Sequence, residues 1–276
     1  EPLDSGAFRL ALAWYRKAEA LVDDCCRRYG AEAMGEVAGT VLYNLGDWYY
    51  RGGRDKYWSW AISCYEKALE LYETDGAETA QKTGSRRNRS VCHTRLSQMY
   101  VETVGTLKKA LFHGRQALAI DREIYMHLRT EEAMLDYAQI HIVLANSCLR
   151  RRGTARSEAI ELCRRAAELS RRAVSLLGSR FARSVQAQAL GSWANALIEI
   201  CGRGGAREAI RLYGRAERIL ADLLAEECTA DEERNLSCTC FGCGRAYLQL
   251  GDRRSLKQAL HYLDKSRRID GRLCDR

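Results

Sequence analysis

A chain of 276 residues that is 46% hydrophobic and 29% charged is long enough to bury a substantial core. No apolar run reaches the roughly 18 residues that a membrane-spanning helix needs, which excludes a transmembrane segment. Twelve scattered cysteines in a long chain with no recognisable leader argue against a disulfide scaffold, and the net charge of +8 leaves basic surface to be placed.

The first expected element, at residues 7–29, is a helix without a partner that carries Ala11, Tyr15 and Ala18. Helix pairs follow at about 33–51 with 56–74, 87–103 with 106–128, and 131–150 with 155–178. Two more run at 182–201 with 206–228 and at 232–250 with 255–272, making eleven helices and no strands. The spacing of Ala11, Tyr15 and Ala18 returns as Ala61/Tyr65/Ala68, Ala110/Gly114/Ala117, Ala159/Cys163/Ala166, Ala209/Tyr213/Ala216 and Ala259/Leu263/Ser266. The leading Ala therefore recurs every 49 or 50 residues. The first helix of each pair carries a large residue, a small one, and an apolar one three positions later. The sets are Leu45-Gly46 with Tyr49, Leu96-Ser97 with Tyr100, Leu144-Ala145 with Cys148, Trp193-Ala194 with Leu197, and Cys243-Gly244 with Tyr247. Such a narrow waist lets the Ala-aromatic-Ala face of the second helix lie close. Glycines at Gly52-Gly53, Gly105, Gly153, Gly202–Gly205 and Gly251 mark the turns within pairs. The stretch Thr74–Arg87 is expected to be the one long loop.

This paired signature resembles the tetratricopeptide repeat family over about residues 7–270. It departs from the common repeat of about 34 residues by its length and by lacking a proline after the second helix, since Pro2 is the only one. It is therefore similar to the long-repeat branch seen in kinesin light chains and bacterial peptide sensors. The resemblance implies an all-α, right-handed superhelical solenoid spanning 1–276 as one repeat domain, with a half repeat followed by five pairs at about 33–74, 87–128, 131–178, 182–228 and 232–272. It implies a non-catalytic protein-interaction module.

Catalytic patterns are missing from the sequence. The five histidines are dispersed, and there is no phosphate-binding loop, nucleophile elbow or dinucleotide fingerprint. The sharpest metal candidate is Cys238-Thr-Cys240-Phe-Gly-Cys243 with Cys228 upstream, because thiolates three residues apart share a helix face. Cys240 and Cys243 fall on inward repeat positions, however, and a second C-x-x-C is absent. Structural thiols are the expectation, with no metal and no cofactor. A reduced, cytoplasmic chain follows, and the glycosylation-like triplets at Asn88 and Asn235 are then coincidental. Opening on Glu1-Pro2 rather than Met, the chain is expected to be a piece of a longer protein or a processed form.

Arginines collect in the turns within pairs, at Arg51, Arg54, Arg150, Arg151, Arg152, Arg156, Arg203, Arg207, Arg253 and Arg254. One edge of a solenoid should therefore be basic, although cations near helix C-termini also offset the macrodipole. Nucleic acid is the lesser reading of that edge, because aromatics do not interleave with the arginines, and an acidic protein partner is favoured over it on charge complementarity. The stronger signal lies two residues beyond each large signature residue: Asp47, Gln98, Asn146, Asn195 and Arg245. In the family that position faces the concave groove. Carboxamides there resemble the asparagine ladder that long-repeat members use to hold peptide backbones. Neighbouring groove positions are Tyr43, Tyr50, Thr94, Gln139, Gln188 and Phe241. The expected partner is thus a protein or peptide segment in a concave groove. The alternative is a sensor or scaffold domain joined to an effector domain outside this chain.

Overall fold

The computed structural model describes residues 6–51, 54–74, 83–103, 105–150, 155–176 and 178–274. Gly52, Gly53, Arg151, Arg152 and Gly153 lie outside the described residues, as do the side chains of Arg51 and Arg54. The described residues hold eleven α-helices and no strand. They are α1 (Gly6–Tyr29), α2 (Ala31–Arg51), α3 (Arg54–Thr74), α4 (Thr83–Glu102), α5 (Leu107–Leu128) and α6 (Glu131–Arg150). Then come α7 (Ala155–Leu176), α8 (Arg180–Cys201), a 3-10 turn at Gly202–Gly204, α9 (Ala206–Glu226), α10 (Ala230–Leu250) and α11 (Arg253–Cys274). Helix α4 starts at Thr83, so residues 83–87 of the expected long loop are helical. No described helix is long and apolar enough to cross a membrane.

The chain divides into two compact units inside α5, between Ile124 and Tyr125. In the first, α1 packs on α2, α2 pairs with α3, and α3 packs on α4. In the second, α6 pairs with α7, α8 with α9, and α10 with α11, and each second helix also touches the first helix of the next pair. The first helices also meet one another, α6 against α8 and α8 against α10. This is a helical-repeat solenoid, and its second unit brings one face of α6, α8 and α10 side by side.

The repeat signature is what the helices bury. Ala61, Ala68, Ala110, Ala117, Ala159, Ala166, Ala209, Ala216 and Ala259 are all fully buried. Their small side chains permit close approach, and in two repeats the tyrosine between them, Tyr65 or Tyr213, packs onto a glycine of a first helix. The ring of Tyr65 lies against Gly46, where an added Cβ would sit 2.9 Å from Cε1. The Tyr213 ring lies against Gly242 of α10, even more tightly. Local signals set the helix ends. Ser179 caps α8 by accepting from Ala182 N at 3.1 Å, and Thr229 caps α10 by accepting from Glu232 N at 3.3 Å. Helix α10 stops at Gly251, whose φ of 75° is left-handed, and Asp252 caps the start of α11 through the Arg254 and Ser255 amides.

Candidate functional site

In the first unit the expected groove residues are engaged with one another. The Asp47 carboxylate accepts from Tyr65 at 2.5 Å, from Tyr43 at 3.2 Å and from Arg95 Nε at 3.0 Å. Arg95 also donates to Gln98 Oε1 at 3.3 Å, and its guanidinium lies 5.6 Å from the centre of the Tyr50 ring. A half-buried carboxylate needs a counter-charge, and Arg95 reaches it from α4. Burial and the facing Asp47 raise the Tyr43 hydroxyl above the ordinary phenol value and push the Tyr65 hydroxyl well beyond it. Asp47, Tyr43 and Tyr50 of α2, Tyr65 of α3, and Arg95 and Gln98 of α4 thus form a clamp joining the three helices. Thr94 spends its hydroxyl on the Ser90 carbonyl at 2.9 Å.

The second unit leaves an opening. A cleft of about 270 Å³ lies along α6, α8 and α10. Asn146 comes from α6, while Gln188, Ser192 and Asn195 come from α8 and Asn235 and Thr239 from α10. Gly191, Ala187, Ile142, Cys238, Tyr213 and Leu220 complete the lining, and none of the lining side chains is charged. Gln188, Gly191, Ser192 and Asn195 fall three or four residues apart, which puts them on one helical face. At Gly191 α8 is open toward α10, for a Cβ there would meet only Thr239 Oγ1, 4.0 Å away. Asn195 accepts from Tyr213 at 2.5 Å through Oδ1, which fixes the amide so that its NH2 group remains as a donor. Asn146 is exposed.

Three of the expected groove residues, Asn146, Gln188 and Asn195, therefore share this cleft. Gln139, Phe241 and Arg245 do not line it. Phe241 is exposed, and Arg245 pairs with Glu199 at 2.5 Å. Glu199 also takes Arg156, at 3.5 Å, which neutralises one arginine of the basic turn edge. On α10 the cleft is lined by Asn235, Cys238 and Thr239, which sequence spacing passed over. Their signal was a polar run at three- and four-residue spacing one to two turns before Cys243.

The cysteines do not assemble a metal site. Among the described residues no group of three or more His, Cys, Asp or Glu side chains is placed to hold an ion. Cys240 and Cys243 are buried, whereas Cys228 and Cys238 are exposed. Burial pushes the Cys243 thiol up to about 12 and that of Cys240 to about 11, so both stay protonated.

Compared with known proteins, the sequence matches no family model and no curated protein. Among solved structures, a de novo designed helical repeat protein is similar at 15% identity, with a TM-score of 0.42, over 70% of this chain and 98% of that one. A circular tandem repeat protein is similar at 15% identity and a TM-score of 0.35, over 99% of this chain and 68% of that one. A chain from the computational design of self-assembling cyclic homooligomers gives 11% identity and a TM-score of 0.36, over 94% and 98%.

Proposed function

We propose that this chain is a non-catalytic interaction module of tetratricopeptide-like pairs, and that the cleft on α6, α8 and α10 holds an extended peptide segment. The observation that carries this reading is the lining. In a chain that is 29% charged, the cleft contains three asparagines and a glutamine but no ionised side chain. Carboxamides offer donors and acceptors together, so they match the alternating N–H and C=O groups of a peptide backbone without selecting for charge. The volume of about 270 Å³ suits a few residues of backbone and small side chains. It falls below the roughly 300–1,000 Å³ of typical cofactor and drug-sized pockets. Tyr213 already holds the Asn195 amide in place, so that side chain loses little entropy on binding.

A dodecapeptide library displayed on phage and selected against the whole chain supplies the probe, and calorimetry of the selected peptide supplies the affinity. Asn146→Ala combined with Asn195→Ala removes up to four hydrogen bonds to the backbone. At about 0.5 kcal/mol each, the low end of the usual range and the one suited to water-exposed amides, four bonds come to about 2 kcal/mol and binding should weaken by tens of fold. Undiminished binding by that variant, with binding lost on Arg203→Glu/Arg207→Glu, would move the functional surface to the turn edge.

A further inference from the structure

The side of the second unit facing away from the cleft has a different chemistry. On α11, Arg254, Lys257, His261, Lys265, Arg268 and Arg272 recur at three- and four-residue spacing. At 100° per residue they share an arc of about 80°, and at 1.5 Å per residue the stripe runs about 27 Å. Fifty residues earlier, the same arc of α9 carries Arg207, Arg211, Arg215 and Arg218 before ending at Asp222. The two rows lie side by side, because Glu217 of α9 accepts from Tyr262 of α11 at 3.3 Å and pairs with Lys265. A recess of about 240 Å³ opens beside α11, with His261, Lys265, Arg268 and Arg272 around it, Leu236 and Ile269 as apolar lining, and Asp264 as its one carboxylate.

The repeat scaffold does not require this charge. The matching arc of α7 reads Ser157, Glu161, Arg165, Glu168 and Arg172, and its exposed charges pair locally, as in Arg164–Glu161 at 2.8 Å and Arg165–Glu168 at 2.9 Å. On α9 and α11 the acids are too few. Arg211 pairs with Glu208 at 3.1 Å and Arg268 with Asp264 at 2.6 Å. Among the described residues, Arg207, Arg215, Arg254, Lys257 and Arg272 have no ion-pair partner.

We propose that this face of α9 and α11 binds duplex nucleic acid through its phosphodiester backbone, independently of the cleft. Parallel rows of cations match a line of phosphates, and arginine donates to phosphate oxygens bidentately. The arc contains no exposed apolar or aromatic side chain other than His261, so it lacks the desolvated anchors of a protein interface. It also lacks the stacking platforms that single strands use. Affinity comes from counterion release and reads no sequence.

The experiment is fluorescence anisotropy of a labelled 20-bp mixed-sequence DNA duplex titrated with the whole chain across a salt series. With four or five phosphates neutralised, log K should fall against log salt with a slope of about −4. Arg207→Glu/Lys257→Glu, one change per row and neither in an ion pair, should cost at least about tenfold at low salt and flatten the slope by about 2. Arg164→Glu/Arg171→Glu on α7 makes the same change in net charge and should stay within about twofold. The neutral pair Arg207→Gln/Lys257→Gln should show the same order of loss with helicity unchanged by circular dichroism. No binding at low salt, or equal losses from both reversal pairs, overturns the proposal. A poly-glutamate peptide that competes as well as unlabelled duplex overturns it too, and assigns the face to an acidic protein.

Discussion

The seat of Tyr213 on Gly242 joins the fold to the cleft, and one methyl group tests it. An ideal Cβ at position 242 would lie 2.5 Å from Tyr213 Cζ and 2.7 Å from Cε1, and closer still to the hydroxyl oxygen. The ring has nowhere to go: Tyr213 is 1% exposed and its hydroxyl is tied to Asn195. Gly242→Ala therefore overpacks the contact between α9 and α10 at about 1–3 kcal/mol, while replacing a mid-helix glycine returns about 1 kcal/mol of helix propensity. The net is destabilisation of up to about 2 kcal/mol. Gly214→Ala on α9 is the control, because a Cβ there meets nothing within 4 Å. It should stabilise by about 0.5–1 kcal/mol. Urea midpoints by circular dichroism, taken on both variants, separate the two terms, and their difference is the overpacking itself. Equal shifts in the same direction would refute the seat. Gly242→Ala should also weaken the selected peptide, since a displaced Tyr213 releases Asn195.

Arg180→Met should cost about 2–4 kcal/mol in the same urea assay, because it removes the counter-charge of the buried Glu232 and frees the Glu227 carbonyl that Arg180 caps. His93, 6% exposed with its Nδ1 2.9 Å from that of His113, gives a pH test. Burial, then His113 and Arg89, hold its pKa down to about 4 from the ordinary 6.5. The unfolded chain takes up the proton first, so stability is full above pH 6.5 and falls as the pH drops toward 4, by about 2–3 kcal/mol. His93→Leu should flatten that limb, and parallel profiles would remove His93 as its cause. A thiol reagent at pH 8 should label the exposed Cys201, Cys228 and Cys274 quickly. Cys64 and Cys163, pushed up by burial to about 12, should react only in denaturant, and rapid labelling of either would place it outside the core.

The architecture was legible because it rests on steric repetition. A small residue at a fixed phase of every helix can be read one helix at a time, and each described alanine of the second-helix signature from Ala61 onward is fully buried. The start of α4 was not legible: Thr-Gly-Ser-Arg-Arg reads as a loop by composition, yet Ser85 is fully buried against the array. For the site, helical phase located the face but not its occupancy. Asp47 and Arg95 are 48 residues apart, and Arg245 and Glu199 are 46 apart, so spacing within one helix cannot show that each rung has a partner.

That pattern of occupancy has a physical cause. A carboxylate or guanidinium on a half-buried face is costly until an opposite charge reaches it, so Asp47 recruits Arg95 and Arg245 recruits Glu199. Each recruited side chain is then tied up in an ion pair on that face. An amide carries no charge to compensate, and a tyrosine hydroxyl from the helix behind holds Asn195 from its far side. The face therefore stays open where Asn146 and Asn195 stand. Changing Asn195 to Asp should recreate the charged rung beside Arg245, whose partner Glu199 lies one turn further along α8. The arginine would then be shared between two carboxylates. Peptide affinity should fall even though Tyr213 keeps its acceptor, and Asn195→Asp/Arg245→Gln should recover part of it. A single variant that binds as tightly as the parent chain would show that charge, and the ion pairing it brings, does not govern the cleft.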